Sequence, residues 1–267
     1  MTPLSLGAIV SALLVARGAA QRVRRGTWRR RHLVPALTAL FSSVTLAIVT
    51  GGSFERGAMA SLPQHMVGHV LVMFLVPMAF VWSGIGHQWE MAIPVRVRRP
   101  LSRFAARWSW RGDPSLLASV IVLNVVMVLS HLPVVFDAMM SHSASMSWLV
   151  EPAFLFSGWW FFAGLVAGPY RRLRTRLSRQ LLAVVITMVE MLIMAMAMSI
   201  FTKTAWYHMS DTMGPMPMSF SSQQLGAAIL WICGDFWGVP LVVVIFRRLI
   251  DRDGSLLASL ERRSRTL

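Results

Sequence analysis

The sequence predicts an all-α fold, a polytopic transmembrane helical bundle of about seven spans. Hydrophobic residues make up 55% of the 267 residues and charged residues only 14%, and the mean hydropathy is +0.59. A soluble domain carries a much higher share of charge. Apolar runs of about twenty residues, long enough to cross a hydrocarbon core of roughly 30 Å as a helix, recur along the chain. Polar or arginine-rich joints separate them, so we expect one integral membrane domain.

Seven apolar stretches are predicted to span the membrane, and a basic tail follows them. The spans cover about residues 3–17, 33–51, 64–85, 115–136, 147–168, 180–202 and 224–246, and the tail covers 247–267. The first span is short, so six spans are the alternative. A cleavable signal peptide is the weaker interpretation of this stretch, because the basic cluster 22–31 follows the apolar residues instead of preceding them.

The positions of the charges predict the orientation. Of the 26 lysines and arginines, 24 lie in alternate joints, on one side of the bundle. The positive-inside rule assigns that side to the cytoplasm. We therefore expect the N-terminus outside and the C-terminus in the cytoplasm. The net charge of +15 then reflects contact with the lipid bilayer, and nucleic acid is not expected as a partner.

Histidine and methionine gather on the predicted outer side. His65 and His69 lie one helical turn apart in the third span, and Met73 lies a further turn along the same stripe. His131, near the outer end of the fourth span, is placed to approach this pair from a neighbouring helix. Imidazole and thioether ligands suit Cu(I), so the pattern predicts a copper site. Hydrogen bonding at a helix end is the alternative interpretation of the histidine pair.

The candidate metal ligands fall into two groups. The principal group contains imidazoles and thioethers at outer helix ends and in one outer loop: His65, His69, His131, Met66, Met73 and His142. The secondary group contains carboxylates and methionines of later spans and of the outer segment 213–218: Asp137, Glu190, Met194, Met198, Met213, Met216, Met218 and Asp235. Packing is the alternative for the methionine stripe of the sixth span.

Two carboxylates, Glu190 and Asp235, fall near the predicted bilayer midplane. An ionised side chain costs about 2.5–3.5 kcal/mol there on insertion scales, so each needs a partner or a proton. A proton path, support for a metal site and a neutral hydrogen-bonded pair are all compatible with their positions.

The sequence contains no motif of a common enzyme class. It has no phosphate-binding glycine loop, no nucleophile elbow and no His-Glu-x-x-His zinc motif. The single cysteine, Cys233, excludes a Cys-x-x-Cys site. We therefore expect a protein that is not an enzyme.

Four segments of the chain are informative together: Gln-His-Met-Val-Gly-His at 64–69, the stretch 131–142, Gly-Trp-Trp-Phe at 158–161 and Gln-Gln-Leu-Gly at 223–226. In these segments the chain resembles the CtaG family of cytochrome c oxidase assembly factors. The resemblance implies a copper-binding factor of a bacterial plasma membrane that helps to deliver Cu(I) to a haem-copper cytochrome c oxidase. Oxidase subunits are then partners, and a soluble extracytoplasmic copper donor is left open.

This chain departs from the family pattern at two positions. The family usually has a histidine after the glutamate that enters the fifth span, where this chain has Glu151-Pro152, and an acidic residue at the position of Ser222. One copper ligand is therefore in question. Two other functions stay open: a copper transporter that uses the sixth-span methionines, and a redox protein in which His69 and His131 ligate haem b.

Overall fold

The computed structural model describes residues 2–94, 96–99, 113–141, 146–170, 173, 175–207 and 219–264. Within these ranges the chain is predominantly helical and has no β-strand, which confirms the predicted all-α class. Six of the described helices are long and apolar enough to cross a membrane, so the protein is a multi-pass membrane protein. They are Pro3–Arg24, Arg30–Val49, Leu62–Ser83, Asp113–His131, Leu177–Ser199 and Phe220–Asp251.

The first two helices form an antiparallel pair. Helix α1 covers Pro3–Arg24 and, after a short 3₁₀ turn, α2 covers Leu33–Val49. The hydroxyl groups of Ser11 and Ser43, one on each helix, share a hydrogen bond of 2.7 Å. A small polar pair of this kind lets two helix backbones approach closely inside an apolar environment. The first helix thus runs well beyond its predicted end, and it packs as part of the bundle.

The third span is interrupted in its middle. Helix α3, Gly52–Ala60, leads into α4, Leu62–Val70, which continues through a π-helical segment, Leu71–Leu75, into α5, Val76–Ser83. Pro77 explains the interruption, because it has no N–H to donate four residues back and its ring crowds that carbonyl group. The π-helical segment widens the turn just before the proline.

The remaining helices complete the bundle. Helix α6 covers Ile85–Ala92, α7 covers Asp113–His131 and α8 covers Pro133–Ser141. A π-helical segment, Met146–Val150, precedes α9, Glu151–Leu165; α10 then covers Leu177–Ser199 and α11 covers Phe220–Ser264. The predicted fourth span ends early, at the last residue of α7, because the following proline begins a new helix. The last helix continues from its membrane span into the predicted basic tail.

An aromatic cluster forms the centre of the bundle. Phe74 stacks on Trp237 of α11 with ring centroids 5.1 Å apart, and Phe161 and Phe162 of α9 meet the same indole edge to face. These contacts join the third, fifth and last predicted spans. Large apolar side chains on the outer faces, such as Phe236 with 78% exposure, are left for lipid.

Candidate metal centre

Three histidines from two helices come together near the predicted outer side. His65 and His69 lie on α4, and His131 is the last residue of α7. Their side chains are only 3%, 5% and 1% exposed. The ring centroids of His65 and His69 are 4.2 Å apart, and those of His69 and His131 are 5.5 Å apart. The structure therefore brings the third histidine beside the predicted pair.

Hydrogen bonds define how His131 is oriented. Its Nδ1 atom lies 2.7 Å from the carbonyl oxygen of Met127. A carbonyl oxygen only accepts, so Nδ1 carries the proton and donates, and in the neutral ring the lone pair resides on Nε2. That Nε2 atom is buried and has no hydrogen-bond partner. In metal-binding imidazoles, one ring nitrogen commonly donates a hydrogen bond to a carbonyl oxygen and the other ring nitrogen binds the metal.

The pair on α4 also has unpaired imidazole nitrogens. The Nε2 atom of His65 is buried and has no hydrogen-bond partner. Both ring nitrogens of His69 are buried without a partner. Buried polar atoms are nearly always hydrogen-bonded in folded proteins, so several unpaired nitrogens within one cluster are unusual and are available to bind a partner.

A cavity of about 60 Å³ lies beside the histidine pair. Its polar lining consists of His65 and His69 of α4, Glu55 of α3 and Glu151 of α9, and Met59 adds a thioether. About 10–15 Å³ is enough for one water molecule, so the cavity has room for an ion and a few waters. Imidazole, carboxylate and thioether groups thus face one small space.

Glu151 is the site residue that the sequence analysis missed. Its side chain is 9% exposed, and its Oε2 atom has no hydrogen-bond partner. The side chain lies in the first turn of α9, directly before Pro152. The sequence offered one signal for this residue, namely an acidic side chain at the start of a long apolar run.

Aromatic rings enclose the three imidazoles. Phe136 packs against His65 with centroids 5.3 Å apart, and Phe154 packs against His69 at 4.5 Å. Tyr207 stacks on Phe136 and donates a hydrogen bond of 3.0 Å to the carbonyl oxygen of His131. Burial and the nearby Asp137 raise the pKa of Tyr207, so its phenol stays protonated and able to donate.

A family model described as cytochrome c oxidase caa3 assembly factor matches residues 13–252. The chain belongs to this family. The match covers almost the whole helical bundle, and it confirms the resemblance that the four segments indicated. Comparisons with curated proteins and with solved structures give no match. As a cytochrome c oxidase assembly factor, the protein interacts with the oxidase.

The donor groups of this assembly factor do not form a closed coordination shell. Among the described residues, no group of three His, Cys, Asp or Glu side chains is arranged so that it could hold a metal ion. The unpaired nitrogens and the free oxygen of Glu151 supply suitable donor atoms without meeting at one point. The donor set combines imidazole nitrogens, carboxyl oxygens and one thioether, and its geometry is open.

The predicted methionine ligands within the described helices lie in packing positions. Met66 and Met198 are fully buried in a second cluster with Phe136 and Tyr207, and Met194 packs against the edges of both clusters. Met73 is buried in the main core, and neither Met66 nor Met73 lines the cavity. These contacts favour packing over a path for copper along α10.

The two predicted midplane carboxylates do not form a pair. Both oxygens of Glu190 are buried without a hydrogen-bond partner, whereas Asp235 is exposed on the surface of α11. The neutral hydrogen-bonded pair is therefore not formed. Four other predicted ligands lie outside the described residues: His142, Met213, Met216 and Met218.

The hydrogen bond from Tyr207 provides a test of the site's framework. Replacing Tyr207 by Phe is expected to lower stability by about 0.5–1.5 kcal/mol, because the carbonyl oxygen of His131 loses its donor. Thermal unfolding of the purified protein measures this change. The only other tyrosine, Tyr170, has a hydroxyl without a hydrogen-bond partner, so Tyr170→Phe, measured in chloride buffer without phosphate or anionic lipid, is the matched control. Equal melting temperatures for the two variants would contradict the assigned role.

Proposed function

We propose that this protein binds Cu(I) through His65, His69 and His131 on the outer side of a bacterial plasma membrane. It then helps to deliver the ion to cytochrome c oxidase, and it catalyses no covalent reaction. The observation that carries the proposal is the set of buried imidazole nitrogens without hydrogen-bond partners. Family membership supports the destination of the ion, because the family assembles this oxidase.

The surroundings of the imidazoles favour a soft monovalent cation. Phe136 and Phe154 make the environment apolar. Burying a monovalent cation in such an environment costs less free energy than burying a divalent cation. Nitrogen and sulfur donors suit Cu(I) better than hard ions. The cavity contains no cysteine, which would be prone to oxidation in an outer compartment.

The open geometry suits a factor that passes its ion on. A closed set of ligands holds a metal tightly, whereas a few adjacent donors allow ligands to be exchanged one at a time. His69 is the central donor, because its ring lies between those of His65 and His131. Glu151 stands at the cavity wall, where its carboxyl group can bind an incoming ion.

The dimensions and packing of the site weigh against the two alternative functions, a haem b redox protein and a copper transporter. A haem group would need far more room than the roughly 60 Å³ beside His69, since pockets for larger ligands measure about 300–1,000 Å³. A transporter would require a path through the bundle, and Met198 of the sixth-span stripe is fully buried among other side chains. Copper handling at the outer side is the function that we propose.

Metal content after loading tests the proposal. The detergent-purified protein is incubated with Cu(I) under reducing conditions and freed of excess metal. Close to one copper per chain, with no Soret band in the visible spectrum, is the expected result. A Soret band from the protein as isolated would favour haem, and no retained copper would overturn the proposal.

A further inference from the structure

A second group of buried, unpaired polar atoms lies at the opposite end of the bundle. Arg22, in the last turn of α1, is only 5% exposed, and its two terminal guanidinium nitrogens have no hydrogen-bond acceptor. The side-chain nitrogen of Gln88, which is 1% exposed, and the hydroxyl of Tyr170 also lack partners. None of these atoms takes part in the outer histidine site.

Three parts of the chain that carry these groups lie against one another. The guanidinium carbon of Arg22 lies 6.0 Å from the centre of the Tyr170 ring, which follows α9. Gly18, one turn before Arg22, lets α1 approach α6 closely, since a Cβ atom there would lie 2.6 Å from the carbonyl oxygen of Gln88. The ring of His87 packs on that of Tyr170 at 4.4 Å and is partly exposed. The cluster therefore lies just beneath the predicted cytoplasmic surface.

The local charge is positive and incompletely balanced. Burial and the nearby Arg22 lower the pKa of His87, and Arg98 adds to this effect. Glu90 supplies one carboxylate, 4.0 Å from the His87 ring nitrogen, but it does not bond to the guanidinium group. The carbonyl end of α1 interacts favourably with Arg22. That interaction is weaker than the cost of burying an ion without hydrogen-bonded compensation.

The unpaired atoms share one hydrogen-bonding role. A guanidinium group and an amide nitrogen only donate, and a phenol donates readily. The forked guanidinium group matches the oxygen atoms of a phosphate, which accept several hydrogen bonds at once. Phosphate is also the anionic group of the lipids that line the cytoplasmic face of a membrane.

We propose that Arg22, Gln88 and Tyr170 form a binding site for a phosphate group at the cytoplasmic end of α1. Either a free phosphate ion or the headgroup of an anionic phospholipid supplies that group. Arg22 holds the phosphate oxygens, and Gln88 and Tyr170 donate to the remaining ones. The bound anion then joins α1, α6 and the segment after α9.

Thermal unfolding of the full-length, detergent-purified protein tests this site. Melting temperatures are measured with inorganic phosphate against chloride at equal ionic strength, and with phosphatidylglycerol against phosphatidylcholine. The wild-type protein is expected to be stabilised by at least one of the two phosphate probes. Stabilisation by inorganic phosphate identifies a free-anion site, and stabilisation by phosphatidylglycerol alone identifies a headgroup site.

Variants separate this site from general attraction to a basic surface. Whichever probe stabilises the wild-type protein, Arg22→Gln is expected to weaken its binding at least tenfold, measured as the concentration that gives half of the full rise in melting temperature. Arg24→Gln removes the same charge from an exposed position on the same helix and is expected to leave binding unchanged. Without a probe, Arg22→Gln should melt at or above the wild-type temperature, because the buried ion lacks its counter-charge.

Three results would overturn the proposal. They are no stabilisation of the wild-type protein by either probe, an undiminished response of Arg22→Gln, and an equal loss of response in Arg24→Gln. If Arg22→Gln does not fold, Gln88→Leu replaces it, and an unchanged response of that variant likewise contradicts the site. The result is independent of copper binding at the opposite end of the bundle.

Discussion

The double variant His65→Ala/His69→Ala is expected to retain at least about tenfold less copper than the wild-type protein, because it removes three of the four unpaired imidazole nitrogens. A single imidazole, that of His131, then remains. The measurement is copper content after Cu(I) loading and removal of excess metal. Variant His32→Ala/His87→Ala is the matched control, since it removes two histidines from the predicted cytoplasmic side.

Stability distinguishes a ligand from a structural histidine at the same position. His69 is buried and neither ring nitrogen has a hydrogen-bond partner. Replacing an unsatisfied buried polar group by an apolar one of similar size is close to neutral or stabilising. His69→Leu without copper should therefore melt at or above the wild-type temperature. A large fall in melting temperature, or full copper retention by the double variant, would show that the site is wrongly assigned.

The membrane fold and the histidine pair were accessible from the sequence. Long apolar runs directly indicate membrane-spanning helices, because the bilayer imposes the length and composition of such helices. His65 and His69 follow from helical periodicity alone, since residues four apart share one face. The approach of His131 was inferred from its predicted depth, and its ring distance of 5.5 Å from His69 belongs to the packed structure.

The stripe expected to continue to Met73 shows where periodicity fails. The segment Leu71–Leu75 is π-helical, so residues after His69 no longer repeat with the period of an α-helix. Met73 is consequently buried in the core instead of facing the cavity. Pro77 was visible in the sequence, but the form of the distortion that it causes depends on the helices around it.

Glu151 and Arg22 were missed for a related reason. Each looks like an ordinary boundary residue, one at the start of a predicted span and the other in a basic joint. Only packing shows that the carboxylate of Glu151 lines the cavity and that the guanidinium of Arg22 is buried. A charged group becomes informative when the fold removes it from solvent without supplying a partner.

A substitution at the tightest contact of the π-helical segment is expected to cause a large loss of stability. A Cβ atom at Gly158 of α9 would overlap the carbonyl oxygen of Met73 and approach Pro77 to 3.0 Å. Both neighbours are held by backbone or a proline ring, so they cannot rotate away as a flexible side chain would. Overpacking of this kind costs about 1–3 kcal/mol and sometimes more. Gly158→Ala is therefore expected to fold poorly or to melt far below the wild-type protein.

Gly86→Ala is the control for that variant. Gly86 lies in α6, and a Cβ atom there would meet no atom within 4 Å. Alanine is favoured over glycine in a helix by up to about 1 kcal/mol, so this variant should melt at or above the wild-type temperature. Opposite shifts from the same substitution would attribute the loss in Gly158→Ala to the contact between α9 and the π-helical segment. If Gly158→Ala melts like the wild-type protein, the third span does not pack against α9 in this way, and the backbone that follows His69 is positioned differently.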